Sequence, residues 1–112
     1  MNTRITSILA LALLVSGPVL ASEGEDLAKA KDCFTCHALK GENFGPSFQD
    51  IARRFSGLSN AKRMLTKEVQ AGTYIPGVAR HWNTMKMPKD SDRVPVSQAE
   101  AEILVDYILS IK

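Results

Sequence analysis

Two thiols and an imidazole fall within five consecutive residues, Cys33-Phe34-Thr35-Cys36-His37. Thiols at this spacing can add across the two vinyl groups of one porphyrin as thioethers, while the adjacent imidazole reaches the iron. Each residue then has its own chemical task, so the pattern is far more specific than a bare C-x-x-C. Three other chemistries compete for these side chains. Structural zinc takes four ligands. The chain offers Cys33, Cys36, His37 and His81, but Cys36 and His37 are neighbours, and the usual spaced pair of histidines is missing. A thioredoxin-like dithiol belongs in a βαβ context, and no credible strand precedes Cys33. A Cys33–Cys36 disulfide would close a very small, strained loop and leave His37 without a task. Covalent haem attachment uses all three residues.

A haem iron with a proximal histidine, here His37, has one more axial position. A methionine there favours reversible electron transfer at raised potential, whereas an open site permits ligand binding or catalysis. Beyond the N-terminal segment the candidates are Met64, Met85, Met87 and His81. Met64 lies on the apolar face of a helical pattern and is most simply core packing. His81 is most simply a surface histidine. Met85 and Met87 lie in an irregular stretch that can project a side chain at the iron, and their spacing alone does not choose between them. Pro88 stiffens the backbone after Met87 and biases it to an extended conformation, which favours Met87.

The elements that must position these residues read as helices. The first is expected from about Glu23 to Cys33, with Ser22 and Glu25 as a capping box and Leu27, Ala28 and Ala30 as a narrow small-residue face. Ala38 to Gly45 reads as loop. A helix from about Pro46 to Phe55 puts Phe48, Ile51, Ala52 and Phe55 on one face, with Pro46 at its first position. Ser59 or Asn60 can cap a third helix to about Ala71, with Met64, Leu65 and Val69 inward and Gly72 as its terminator. Thr73 to Val96 holds Pro76, Gly77, Pro88 and Pro95, too many breakers for a regular element. A long irregular loop inside a small domain is usually functional, and this one carries Met85 and Met87. Ser97-Gln98-Ala99-Glu100 is a capping box, followed by an apolar stripe of Ile103, Leu104, Tyr107, Ile108 and Ile111.

Ahead of these helices, Arg4 precedes an apolar run from Ile5 to Val15, then Ser16-Gly17-Pro18 as helix breakers and Val19-Leu20-Ala21 as an A-x-A-like cleavage site. This reads as a secretory signal peptide, residues 1–21, ahead of a single domain, residues 22–112. A retained membrane anchor fits less well, because the run is short for a span of about 20 residues. The full chain has 14 basic and 12 acidic side chains. Arg4 leaves with the leader, so the mature domain is nearly balanced, and no basic run with interleaved aromatics points to nucleic acid. Arg80, Lys86, Lys89 and Arg93 cluster near Met87; they fit equally a rim around an exposed haem edge that steers an acidic partner and ordinary solvated charges diluted by Asp90 and Asp92. A domain this small is near the lower limit for a self-sufficient core, and a buried porphyrin would supply much of the missing apolar surface.

The chain resembles the small bacterial class I cytochromes c, the c551/c552 group. The matching residues are Cys33-Phe34-Thr35-Cys36-His37, Gly45-Pro46, Trp82 followed by Met87-Pro88, and the closing Tyr107-Ile108-Leu109-Ser110-Ile111-Lys112. The resemblance covers essentially the whole domain. It implies an all-α fold of about four helices around one covalent haem c, with His37 as proximal and Met87 as distal ligand. It implies that the Pro46 carbonyl accepts a hydrogen bond from His37, that Trp82 lies beside the haem facing a propionate, and that Tyr107 packs where the terminal helices cross, near Leu27 and Ala28. The 73–81 loop is longer than in the shortest members, and Glu68 stands where some carry a basic residue, so Arg53 and Arg54 stay open as propionate partners. The function implied is single-electron transfer between redox protein partners by a monomeric periplasmic carrier that is not an enzyme. A dedicated haem subunit of a periplasmic oxidoreductase is the alternative. A gas sensor or peroxidase would need an open distal site, which two methionines in the loop argue against.

Overall fold

Apolar residues at helical spacing, interrupted by glycines and prolines, fold into four helices. The computed structural model describes residues 18–73, 87–88 and 93–112. Among these the order is α1 (Pro18–Ala30), a 3-10 turn (Cys33–Thr35), α2 (Phe48–Phe55), α3 (Ala61–Ala71) and α4 (Gln98–Ser110), with no strand. Helix α4 packs against α1, α2 and α3, and α1 also touches the 3-10 turn. No helix among the described residues is long and apolar enough to cross a membrane.

The central place of α4 explains its broad buried face. Ala101 and Val105 are buried along with Leu104, Tyr107 and Ile108, whereas Ile103 and Ile111 of the expected stripe are only half-buried. A helix contacted from three sides needs more than one apolar stripe. Its start is the expected capping box. The Ser97 hydroxyl accepts from the Glu100 N–H at 3.2 Å, and the Glu100 carboxylate accepts from the Ser97 N–H at 3.0 Å. Two otherwise orphaned donors of the first turn are thereby satisfied.

Helix α1 departs from expectation at both ends. It begins at Pro18 and stops at Ala30, so Ser22 and Glu25 lie inside it and form no cap. Proline is tolerated in a first turn, where its missing N–H has no partner to lose; Pro18 opens the helix rather than breaking it. Ala30 is exposed, and the small-residue face is instead Gly24 and Ala28, both buried. A Cβ on Gly24 would lie 2.2 Å from the Tyr107 Cβ and 2.6 Å from its Cγ. Tyr107 thus packs at the α1–α4 crossing, as expected, directly against Gly24.

Helix α2 also starts later than expected. Ser47, fully buried, is its cap and accepts from the Asp50 N–H at 3.1 Å. Pro46 therefore precedes the cap instead of opening the helix. Phe48, Ile51, Ala52 and Phe55 form the buried face. In α3, Leu65 and Val69 are buried and Met64 is half-buried against the same core. Asn60 is the cap residue without a side-chain bond, and Gly72, at φ 74°, carries the chain away while its N–H bonds the Glu68 carbonyl at 2.7 Å.

Candidate functional site

After α1 the backbone turns through Asp32, whose φ of 58° is left-handed, a conformation that short polar side chains tolerate. The turn that follows gathers the attachment residues. The Cys36 and His37 N–H groups both bond the Cys33 carbonyl, at 3.3 and 3.0 Å. One tight turn thus holds both thiols and the imidazole. Both cysteines are free thiols and half-buried. Burial pushes the Cys33 thiol pKa up, outweighing the lowering effect of the Arg93 charge. A redox-active dithiol has the opposite shift. Among the described residues no group of three His, Cys, Asp or Glu side chains is arranged to hold a metal ion; His81, the fourth ligand of the zinc reading, lies outside them.

His37 is fixed on three sides. Its Nδ1 lies 2.7 Å from the Pro46 carbonyl oxygen. A carbonyl only accepts, so Nδ1 carries the proton and Nε2 keeps its lone pair for a metal. The ring stacks on Phe48, with centroids 5.4 Å apart at 26°. Against the edge that faces Pro46 lies Gly45, where a Cβ would lie 2.9 Å from the imidazole Cε1 and 3.1 Å from Nδ1. Burial lowers the His37 pKa and so favours the neutral imidazole, partly opposed by the bond to Pro46. The loop delivers Pro46 because three backbone bonds close it. The Gly45 N–H reaches the Cys36 carbonyl at 2.8 Å, and the Phe48 and Gln49 N–H groups reach the carbonyls of Ala38 and Leu39 at 2.9 and 3.0 Å. The last two satisfy orphan donors of the first turn of α2.

Phe48 carries this arrangement into the core. It is 1% exposed, contacts Phe34 at 5.4 Å and meets Tyr107 edge-on at 6.1 Å. His37, Phe48, Tyr107 and Gly24 therefore form one packed series from the attachment turn to α1. Cys33, Phe34, Met64 and Met87 lie partly buried at the edge of that same core.

Met87 is tied down by its neighbours in space. Its N–H donates to the Thr73 hydroxyl at 2.9 Å, and its carbonyl accepts from the Thr73 N–H at 3.2 Å. The Arg93 Nε donates to the Pro88 carbonyl at 2.9 Å. Arg93 is half-buried, with its Nη2 enclosed. It is held there by a backbone carbonyl, a partner that composition cannot reveal. Arg53 and Arg54, the open propionate candidates, are exposed on α2.

The cytochrome c family profile matches residues 21–112. The chain belongs to the cytochrome c family. It is 33% identical over 99 residues to cytochrome c-551 of Stutzerimonas stutzeri, covering 88% of this chain and 86% of that one. It is 36% identical over 103 residues to cytochrome c-552 of Nitrosomonas europaea, covering 92% and 90%. Its fold superposes on the crystal structure of the wild-type Nitrosomonas europaea cytochrome c552 with a TM-score of 0.67 at 31% identity, covering 79% of this chain and 99% of that one. It is a small all-α class I cytochrome c of the c551/c552 group, an electron carrier with one covalent haem c. The donor set fits that group: two free thiols on one turn and an imidazole with a free Nε2.

Five of the six expected cofactor residues, Cys33, Cys36, His37, Pro46 and Met87, lie within the described residues, and the first four form one continuous unit. Trp82 lies outside them, as do His81, Met85, Arg80, Lys86, Lys89, Asp90 and Asp92. Sequence reasoning missed Phe48 as the platform under His37, the contact of Gly45 with the ring, and Thr73 as the anchor of Met87. Gly45 alone left a signal, through the Gly45-Pro46 pair.

Proposed function

We propose that this cytochrome is a soluble, monomeric periplasmic carrier whose iron is held between His37 and Met87. The observation that carries the His37 assignment is the 2.7 Å contact from His37 Nδ1 to the Pro46 carbonyl, which commits one ring nitrogen and frees the other; Met87 is supported by its place at the edge of the same core. Bound haem supplies an iron that cycles between ferrous and ferric states, and the protein supplies orientation and electrostatics. Cys33 and Cys36 anchor the porphyrin covalently. Pro46 fixes the tautomer and raises the basicity of His37. Met87 would offer a thioether to the iron, and the packed series through Phe48 keeps the imidazole in one place. Donors held in place by the fold would keep reorganisation small on electron transfer.

The exposed apolar Leu39 and Phe44 lie on the loop between His37 and α2. They give a redox partner a small apolar contact suited to transient docking. The apolar segment ahead of α1 supports export, with cleavage after Ala21, and the family match begins at residue 21.

The ligand assignment is tested by the ferric absorption spectrum. The weak sulfur-to-ferric charge-transfer band at the red end vanishes in Met87→Ala and persists in Met85→Ala. The reverse pattern transfers the ligand role to Met85.

A further inference from the structure

We infer that Thr73 is a positioning residue that holds Met87 in place as the second axial ligand; this rests on the His37/Met87 reading above. Thr73 engages both backbone polar groups of Met87. The Met87 N–H donates to the Thr73 hydroxyl at 2.9 Å, and the Thr73 N–H donates to the Met87 carbonyl at 3.2 Å. The pair closes a small ring across 14 residues of chain. Thr73 is itself set by the end of α3. Gly72 turns out of the helix at φ 74° with its N–H on the Glu68 carbonyl at 2.7 Å. The anchor is therefore a helix terminus. On the other side, the Arg93 Nε holds the Pro88 carbonyl at 2.9 Å. The dipeptide 87–88 is thus gripped from both flanks, by α3 and by the segment leading into α4.

Such a grip has a physical purpose. The methionine side chain is unbranched and flexible, and a loop end left free pays conformational entropy each time it is ordered. Holding the backbone at Met87 lowers that cost and keeps the sulfur presented. Threonine suits the task because its hydroxyl accepts a bond and its branched Cβ restricts χ1. Valine keeps the shape and loses the acceptor. Serine keeps the acceptor with a freer rotamer.

Three haem-loaded variants in the ferric state test this: Thr73→Val, Thr73→Ser and Met87→Ala. Two readouts are followed against temperature and time, the fading of the sulfur-to-ferric band and the rate at which cyanide replaces the thioether. Thr73→Val loses the band well before its far-UV circular dichroism melts, and cyanide enters about fivefold to tenfold faster, the scale of one lost hydrogen bond. Thr73→Ser stays near the parent. If Thr73→Val matches the parent in both readouts, or loses the band only together with global unfolding, Thr73 does not position the ligand. Met87→Ala separates the two levels. A lost band there leaves the ligand reading standing whatever Thr73 does, and a retained band overturns both.

Discussion

His37 owes its readiness as a ligand to residues that never approach a metal themselves. Pro46 takes the proton-bearing nitrogen, Phe48 supports one face of the ring, and Gly45 leaves room beside Cε1 and Nδ1. Gly45→Ala tests this arrangement. A methyl group 2.9 Å from the imidazole Cε1 must displace the ring, and overpacking of this kind costs about 1–3 kcal/mol. The denaturation midpoint is expected to fall. The bond to Pro46 lengthens, the imidazole becomes less basic, and the ferric state loses support, so the reduction potential rises. An unchanged potential with an unchanged midpoint would mean the ring has space that the geometry denies it. The proposed attachment residues stand out in the sequence because they are contiguous and each has a distinct chemistry. The supports do not, because Phe48 and Thr73 act through contacts that no local pattern encodes. Nothing in Gly72-Thr73 distinguishes an anchor from an ordinary helix end.

At the scale of elements, the helices follow their apolar periodicity and the boundaries follow chemistry that competes with it. The Ser97–Glu100 capping box was readable because it is a local motif with reciprocal bonds. The start of α1 at Pro18 belongs to the full chain; cleavage after Ala21 would leave a helix beginning near Ser22, close to the start its sequence suggests. The Gly24–Tyr107 contact was unreadable, since it joins residues from opposite ends of the domain. Gly24→Ala gains about 1 kcal/mol of helix propensity, but its Cβ falls 2.2 Å from the Tyr107 Cβ. Trimming Tyr107 cannot relieve a clash at Cβ, so the helices must separate, and the variant is expected to be markedly less stable in denaturant. A more stable variant would show that the crossing is looser than described. The capping box also predicts a pH dependence. The Ser97 N–H first, and then Lys31, at 3.1 Å, hold the Glu100 pKa below its ordinary value. A carboxyl depressed in the folded state contributes stability that is complete above its unfolded pKa and is lost as pH falls through the folded one. Glu100→Gln can still accept from the Ser97 N–H but carries no charge. Its denaturation midpoint is therefore expected to fall less steeply than the parent's through the acid range. Parallel curves for the two proteins contradict this.

The whole molecule is a small core completed by its cofactor. Helix α4 gathers α1, α2 and α3, and the attachment turn and Met87 lie at the edge of the apolar cluster they form. Fold class was legible from four helical patterns and one motif. The arrangement around α4 was not, because its second buried row, Ala101 and Val105, is apolar for reasons set by three neighbours. Intact-mass spectrometry of the protein exported from a host that matures such cytochromes tests the account most directly. The predicted mass is residues 22–112 plus one haem, with neither Cys33 nor Cys36 open to alkylation. The mass of the bare polypeptide with both thiols reactive would contradict it.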